Sequence, residues 1–221
     1  MDGVVIAGID TGVGKTAICA GLLKMIHGTK KVCYWKPIQT GTIVADDTVE
    51  IRGMASLPTE CVREPAYRFI EPLSPYMAGK KWGKRVDLDV IEKQFLEQKK
   101  EGFFQIIEGA GGLLVPLNES ELQVDLLKRF KLPVIYVTED RVGAINQTLL
   151  TLRVAKESKV ESLGVIVTRS RRTLGNAESI SLFGKCEILA EFDPADDVRT
   201  LVAQVGGHTR LRQLFNIPQL P

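Results

Sequence analysis

Short apolar runs alternate with stretches of helical periodicity along the whole chain. Such runs predict strands, and runs with almost no polar residue are typical of strands buried on both faces of a parallel sheet. Strands that alternate with helices pair in parallel, with right-handed crossovers and helices on both faces. The pattern therefore predicts an α/β fold with a mostly parallel sheet. The predicted strands are residues 4–7, 31–35, 103–107, 133–137, 163–167 and 186–190.

Helical spacing is clearest in four segments between these strands. In one of them, Leu88, Ile91 and Phe95 form an apolar stripe that begins after Asp87, a residue type favoured as a helix N-cap. Residues 58–86 contain four of the ten prolines, and we expect a structured loop there instead of a domain boundary. The predicted helices are residues 16–26, 88–100, 144–157 and 195–205.

Composition favours a single domain over residues 1–221, because 44% of the residues are hydrophobic and a chain of this length can bury a full core. The 29 basic and 27 acidic residues nearly balance. A nucleic-acid-binding face requires a basic excess, so we expect no nucleic-acid partner and a solvated loop at the basic run 169–172. No apolar stretch reaches the ~18–20 residues of a membrane helix, so we expect no membrane association.

The cysteines and the N-terminus indicate the compartment. The chain shows no Cys-x-x-Cys pair, and scattered cysteines are typical of proteins in a reducing environment. The N-terminus leads directly into a predicted strand without the basic region or cleavage pattern of a signal peptide. We therefore expect a cytoplasmic protein in which Cys19, Cys33, Cys61 and Cys186 are reduced.

The stretch GIDTGVGKT, residues 8–16, separates the first predicted strand from the first predicted helix. Ligands of parallel sheets gather at the carboxyl ends of strands, and glycines there let backbone N–H groups converge on an anion beside a helix N-terminus. Lys15 can reach the β- and γ-phosphates, and the Thr16 hydroxyl can bind Mg²⁺. In the general phosphate-loop pattern, four residues separate the first glycine from Gly-Lys-Thr, whereas here five residues separate Gly8 from Gly-Lys-Thr. The strand, the turn glycines, Lys15, Thr16 and the helix that follows nevertheless predict a P-loop NTPase-like nucleotide site.

Charged residues at the ends of two further strands extend this site. Glu108 directly follows the strand 103–107, and either Asp46 or Asp47 could lie beside it. Glu108 and one of these aspartates therefore qualify as Mg²⁺ ligands. Lys36 ends the strand 31–35 and is therefore aimed at the same edge. A simple nucleotide switch has no evident need for a second lysine there. An enzyme that stabilises a transferring phosphoryl group or a carboxylate does need one.

Five segments resemble the dethiobiotin synthetase family in order and approximate spacing: GIDTGVGKT, KPIQTG, EPLSPYMA, IEGAGGLLVPL and GAINQTLLT. The resemblance covers roughly residues 3–168, and the family's loop reads G-x-D-T-x-V-G-K-T, so the five-residue spacing is the family's own variant. The resemblance implies ATP and Mg²⁺ as cofactors. The implied reaction joins 7,8-diaminopelargonate and CO₂, through a carbamate and a carbamic-phosphoric anhydride, to give dethiobiotin, ADP and phosphate.

The resemblance also implies a role for each matching residue. Lys36, Lys15 and Thr11 would be catalytic, and the last two would lie near the transferring phosphate. Thr16, Asp47 and Glu108 would hold Mg²⁺, and the distance from KPIQTG favours Asp47 over Asp46. The residues implied to bind the nucleotide and its metal are Gly12, Val13, Gly14, Lys15, Thr16, Ala17, Asp47, Glu108, Gly109, Ala110, Gly111, Thr168 and Arg169.

The resemblance further implies that the substrate lies at the interface of a homodimer. Thr40 matches the family's substrate-contacting serine or threonine. In the family, the segment that holds the substrate carboxylate comes from the partner subunit. The residues that match this segment are Gly143, Ala144, Ile145 and Asn146.

Three departures from the family's pattern concern the nucleotide. Gly12 replaces a frequently acidic residue, Thr168-Arg169 replaces a common asparagine, and residues 190–193 replace a common G-x-I/V-P segment. The latter two should build the base pocket. ATP is therefore the expected nucleotide, with GTP and CTP as alternatives.

Two alternatives to this function follow from the residues. A related ligase acting on another carboxylate would normally carry a glutaminase domain, for which this chain has no room. A dimeric nucleotide switch of the partitioning or assembly ATPase type would usually carry a lysine at about Asp10 or Thr11, and it has no need for the KPIQTG segment.

Overall fold

The computed structural model describes residues 1–170, 172 and 174–219. Its strands are β1 (Gly3–Gly8), β2 (Val32–Trp35), β3 (Ile38–Gln39), β4 (Val62–Arg63), β5 (Tyr67–Arg68), β6 (Phe104–Glu108), β7 (Val134–Glu139), β8 (Ser162–Thr168) and β9 (Ile188–Glu191). Seven of them form a sheet in the order β4-β2-β6-β1-β7-β8-β9, and β3 pairs separately with β5. Neighbouring strands run parallel in both sheets. The predicted α/β class with a mostly parallel sheet is confirmed.

The helices of the described residues lie between these strands, except the last two, which follow β9. They are α1 (Lys15–Ile26), α2 (Asp47–Ala55), α3 (Pro75–Trp82), α4 (Leu88–Lys100), α5 (Gln123–Phe130), α6 (Ala144–Glu157), α7 (Asn176–Gly184), α8 (Val198–Gly207) and α9 (Thr209–Leu214). Of the helices in this part of the chain, none is both long enough and apolar enough to cross a membrane.

The large sheet separates two apolar cores, which explains why its strands read as continuous apolar runs. Along β1, Val4 and Ile6 belong to one core, whereas Val5 and Ala7 belong to the other. Both faces of the sheet are therefore buried. The first core is covered by α1, α2, α8 and α9, and the second by α3, α4, α5, α6 and α7.

The predicted helix at residues 195–205 begins later, at Val198, and ends at Gly207. Asp197 fixes this start, because its side chain accepts a hydrogen bond from the Thr200 N–H and so caps the helix.

The prediction of a loop at residues 58–86 is wrong, because this segment contains regular structure. The segment holds β4, β5, α3 and a 3₁₀ turn at residues 59–61. Pro75 begins α3, where a proline needs no N–H partner, and the Ser74 Oγ accepts a 3.4 Å hydrogen bond from the Met77 N–H. A proline that suggests a loop in the sequence thus starts a helix.

The basic run 169–172 is also only partly as expected. Arg169 and Arg172 are exposed, but Ser170 is buried and its hydroxyl donates a 2.9 Å hydrogen bond to Glu191. The solvated-loop prediction is therefore wrong at Ser170, and Arg171 lies outside the described residues. The four cysteines are all free thiols.

The topology brings three strand ends to one place. β1 pairs with β6 so that Ile6 lies opposite Glu108, and β6 pairs with β2 so that Ile107 lies opposite Trp35. The loop after β1, the residue after β2 and the last residue of β6 therefore meet at one edge of the sheet.

Candidate active site

A cavity of about 610 Å³ lies at this edge of the sheet. The loop after β1, the segment after β2, the start of α2 and the turn after β6 form its walls, and residues 72–75 close one side. Twelve of the predicted site residues line it: Thr11, Gly12, Gly14, Lys15, Thr16, Ala17, Lys36, Thr40, Asp47, Glu108, Ala110 and Gly111.

The glycine loop turns in front of the N-terminus of α1, a geometry that suits an anion. Gly12 and Gly14 have φ angles of +77° and +96°, in the left-handed region that favours glycine. Gly14 caps α1 without a side-chain hydrogen bond, so the first N–H groups of the helix face the cavity without a capping side chain. Lys15 is buried, and its Nζ donates a 2.9 Å hydrogen bond to the Asp10 carbonyl. Burial lowers the pKa of Lys15, although the charge of Glu108 opposes this effect.

Oxygen atoms from three separate elements converge beside the loop. Thr16 Oγ1 lies 2.7 Å from Asp47 Oδ1 and 3.2 Å from Glu108 Oε1. The Lys36 Nζ donates to Asp47 Oδ2 and, over 3.0 Å, to Glu108 Oε1. The two carboxylates therefore share one ammonium group at the floor of the cavity.

This arrangement fixes the charges of Lys36 and Asp47. Burial alone would lower the pKa of Lys36, but the charges of Glu108 and Asp47 outweigh it, and the pKa lies above its usual range. Burial would likewise raise the pKa of Asp47, but the Lys36 charge and hydrogen bonds hold it below its usual value. At neutral pH the pair therefore consists of an ammonium and a carboxylate.

Tyr34 is not among the predicted site residues, but it is a buried contact of the site. Its hydroxyl donates a 2.9 Å hydrogen bond to Glu108 Oε2. Burial, and then the charge of Glu108, raise the pKa of Tyr34, so the phenol stays a donor. The available signal was its position two residues before Lys36, which places both side chains on one face of the strand.

The structure separates Asp46 from Asp47. Asp46 is the N-cap of α2, since its Oδ1 accepts hydrogen bonds from the N–H groups of Thr48 and Val49, and it also pairs with Arg68. Asp47 is the first residue of α2 and faces the cavity. Only Asp47 thus lies with Thr16 and Glu108.

Several predicted nucleotide residues lie apart from the cavity lining. Gly109 donates its N–H to the Ile6 carbonyl over 3.0 Å. Val13 and Thr168 are buried, and the Thr168 hydroxyl lies 2.9 Å from the Val13 carbonyl oxygen, to which it can donate. Arg169 forms a 2.8 Å ion pair with Glu139. The Thr168 and Arg169 side chains are therefore engaged with protein groups.

The predicted carboxylate-binding segment lies at the start of α6, outside the cavity lining. Gly143 caps this helix with a φ of +87°, Ala144 is buried and Asn146 is exposed. Arg141 connects the segment to the glycine loop, since its guanidinium lies 3.3 Å from Asp10 and donates to Gln147 over 2.6 Å. Sequence reasoning gave Arg141 no role.

Comparison with known proteins gives the family of the chain. A family model described as an AAA domain matches residues 2–200. The ATP-dependent dethiobiotin synthetase BioD of Paramagnetospirillum magneticum is 34% identical over 194 residues, which cover 88% of this chain and 89% of that protein. The enzyme of the same name from Lawsonia intracellularis is 36% identical, with 95% and 97% of the two chains covered. The chain belongs to the dethiobiotin synthetase family.

Solved structures with the same architecture extend well beyond the dethiobiotin synthetase family. The MinC:MinD cell division protein complex of Aquifex aeolicus matches with a TM-score of 0.62 at 14% identity, over 99% of this chain and 96% of that one. A ParA family ATPase from Chlorobium tepidum matches with a TM-score of 0.56 at 13% identity, over 100% and 95% of the two chains. These matches confirm the P-loop NTPase-like fold. At such identities they show the fold alone.

Proposed function

We propose that this chain is an ATP-dependent dethiobiotin synthetase, which closes the ureido ring of dethiobiotin from 7,8-diaminopelargonate and CO₂. The observation that carries the proposal is the buried Lys36, held by Asp47 and Glu108 beside a phosphate-binding loop. Family membership supports the same activity. The low-identity structural neighbours give no specific support for a nucleotide switch.

The proposed chemistry has three steps. One amine of the substrate attacks CO₂ and loses a proton, which gives a carbamate. A carbamate oxygen attacks the γ-phosphorus of ATP, and the bond to ADP breaks. The neighbouring amine then attacks the carbamoyl carbon of the mixed anhydride and loses a proton, so that the ring closes and phosphate leaves.

Positive groups of the chain match the anionic character of these steps. Lys15 and the N–H groups of the loop would bind the phosphates, and Thr11 would lie beside the transferring group. Lys36 would stabilise the carbamate and the anhydride as a fixed cation, because its raised pKa keeps it protonated. No side-chain nucleophile is required. The rate enhancement would come from positioning and charge stabilisation.

The oxygen donors at the floor of the cavity fit Mg²⁺. The Thr16 hydroxyl lies within hydrogen-bond distance of both the Asp47 and the Glu108 carboxylates. Mg²⁺ usually takes one or two carboxylates and completes its coordination with phosphate and water oxygens, so these three side chains would supply the protein's share of the ligands. When bound there, Mg²⁺ would neutralise charge on the β- and γ-phosphates.

The substrate would occupy the part of the cavity near Thr40, and Gly143 to Asn146 of a partner subunit would hold its carboxylate. This arrangement requires a homodimer, which we include in the proposal together with a cytoplasmic location. Two observations support this assignment: the start of α6 lies outside the cavity lining of its own chain, and Asn146 is exposed.

The proposal is tested with the purified chain, Mg²⁺, labelled bicarbonate and ATP. We expect ADP release that depends on diaminopelargonate, with one label fixed in an acid-stable product for each ADP formed. Parallel reactions with GTP and CTP measure the nucleotide preference. Hydrolysis that does not respond to diaminopelargonate with any of these nucleotides would contradict the proposal.

A further inference from the structure

Tyr34 lies on β2 and contacts the site from the side of the apolar core. It is fully buried within the core that contains α1. In the pairing of β2 with β6, Tyr34 lies opposite Ile106. Glu108 is two residues beyond Ile106 and therefore points to the same face of the sheet as Tyr34.

The two oxygens of Glu108 have different partners. Oε2 faces the core and accepts the 2.9 Å hydrogen bond from the Tyr34 hydroxyl. Oε1 faces the cavity, where it lies 3.0 Å from the Lys36 Nζ and 3.2 Å from Thr16 Oγ1. The last torsion of a glutamate side chain is broad, so a carboxylate without a fixed partner can turn. The Tyr34 hydroxyl removes this freedom, because turning would break its hydrogen bond inside the core.

We propose that Tyr34 is a positioning residue that holds Glu108 with Oε1 towards Thr16 and thereby strengthens the binding of a divalent cation together with nucleotide. Tyr34 acts only through Glu108, since its hydroxyl contacts the oxygen that faces away from the cavity. The inference rests on the metal-binding role proposed above for Glu108. Partners that orient a metal-binding side chain typically change metal affinity about 10–100-fold when they are removed.

The first test replaces Tyr34 by phenylalanine, which removes the hydroxyl and keeps the ring. Tyr136→Phe is the matched control, because Tyr136 is equally buried and its hydroxyl contacts Ser162, away from the cavity. The probe is Mn²⁺ in the presence of ADP, with free Mn²⁺ measured by electron paramagnetic resonance. We expect the Kd for Mn²⁺ to rise about 10–100-fold in Tyr34→Phe and to stay within about twofold of the native value in Tyr136→Phe.

Equal Mn²⁺ affinities in Tyr34→Phe and Tyr136→Phe would overturn the inference. Absence of Mn²⁺ binding to the native chain with ADP would overturn it as well, because Glu108 would then hold no metal. The measurement contains no diaminopelargonate. It therefore remains decisive even if the proposed substrate is wrong.

A double-mutant cycle tests whether the Tyr34 hydroxyl acts through Glu108. In a Glu108→Gln background the oriented carboxylate is already lost, so adding Tyr34→Phe should leave the Kd for Mn²⁺ within about twofold. A further loss of about tenfold or more in that background would show that the hydroxyl acts other than through Glu108, and would overturn the inference.

Discussion

The Lys36 ammonium separates two carboxylates, Asp47 and Glu108, that would otherwise repel each other at the floor of the cavity. Replacing Lys36 by alanine removes the fixed cation that we expect to stabilise the carbamate and the anhydride. Loss of one preorganised group of this kind typically lowers turnover about 10²–10³-fold. We therefore expect kcat to fall by that factor in Lys36→Ala, measured as diaminopelargonate-dependent ADP release.

Lys24→Ala is the matched control, because Lys24 is an exposed lysine in the last turn of α1. It should leave kcat unchanged. Circular dichroism should show that both variants retain their secondary structure. A Lys36→Ala protein with near-native kcat would remove Lys36 from the mechanism.

At this scale the sequence predicts a residue best when a strand end positions it. Lys15, Lys36 and Glu108 were placed together from motif and strand ends alone, and the structure brings them to one cavity. Tyr34 is harder to predict as a site contact, because a buried tyrosine in an apolar strand is usually a packing residue and only its spacing from Lys36 points to the site.

The residues alone leave Asp46 and Asp47 as alternatives, and only the spacing from KPIQTG in the family resemblance favours Asp47. The choice depends on where α2 begins, since one of two adjacent carboxylates becomes the cap and the next turns into the cavity. If the start of α2 moved by one residue, these two roles would be exchanged.

At the scale of elements, α1 packs closely on α8 because Gly21 leaves room for it. A Cβ at Gly21 would lie 2.4 Å from the Val205 Cβ and 3.0 Å from the Val202 carbonyl oxygen. We expect Gly21→Ala to lower the free energy of unfolding by about 1–3 kcal/mol, because the two helices must move apart. Urea titration followed by circular dichroism measures this change.

Gly53→Ala is the opposite case in α2. A Cβ at Gly53 meets no atom within 4 Å, so the variant should gain helix propensity and raise the free energy of unfolding by about 0.5–1 kcal/mol. Stabilisation by Gly21→Ala would show that the α1–α8 contact is looser than the structure indicates.

His208 makes the C-terminal helix α9 sensitive to pH. Its Nδ1 caps this helix by accepting a 3.4 Å hydrogen bond from the Leu211 N–H, and protonation would remove that acceptor. Burial lowers the pKa of His208, so the folded state favours the neutral form. The contribution of His208 to stability is therefore present above the unfolded pKa and is lost as the pH falls through the folded pKa.

Between pH 7 and 5 we expect the Tm of the native protein to fall about 2–4 °C further than the Tm of His208→Asn. The reason is that asparagine caps a helix without titrating. Differential scanning calorimetry measures both proteins. His27→Asn changes the other, exposed histidine and should follow the native pH profile. Parallel profiles for the native protein and His208→Asn would show that the cap does not titrate in this range.

Element prediction succeeded for the strands of the large sheet that are buried on both faces, because each is a distinct apolar run. It failed for the short helices α2, α3, α5, α7 and α9, which have six to nine residues and thus too few turns for a clear helical period. The two-residue strands β3 and β5 depend on pairing between distant segments, which no local pattern contains.

At the scale of the whole molecule, we expect the active site to be divided between two copies of the chain. The cavity of one chain contains Lys36, whereas the start of α6 lies outside the lining of that cavity. Subunit complementation tests this division directly. One variant is Lys36→Ala, and the other is Asn146→Asp, which places a negative charge on an exposed residue where we expect the substrate carboxylate to bind.

Each variant alone should have little activity. In a mixed dimer, one site combines the intact Lys36 of one chain with the intact α6 start of the other, and the second site carries both substitutions. Random exchange of subunits makes about half of the dimers mixed, so the mixture should recover about a quarter of native activity. Activity is measured before and after dissociation and reassociation of the mixed proteins. If each chain held a complete site, no mixed dimer would contain an intact one, and activity would stay at the sum of the two variants.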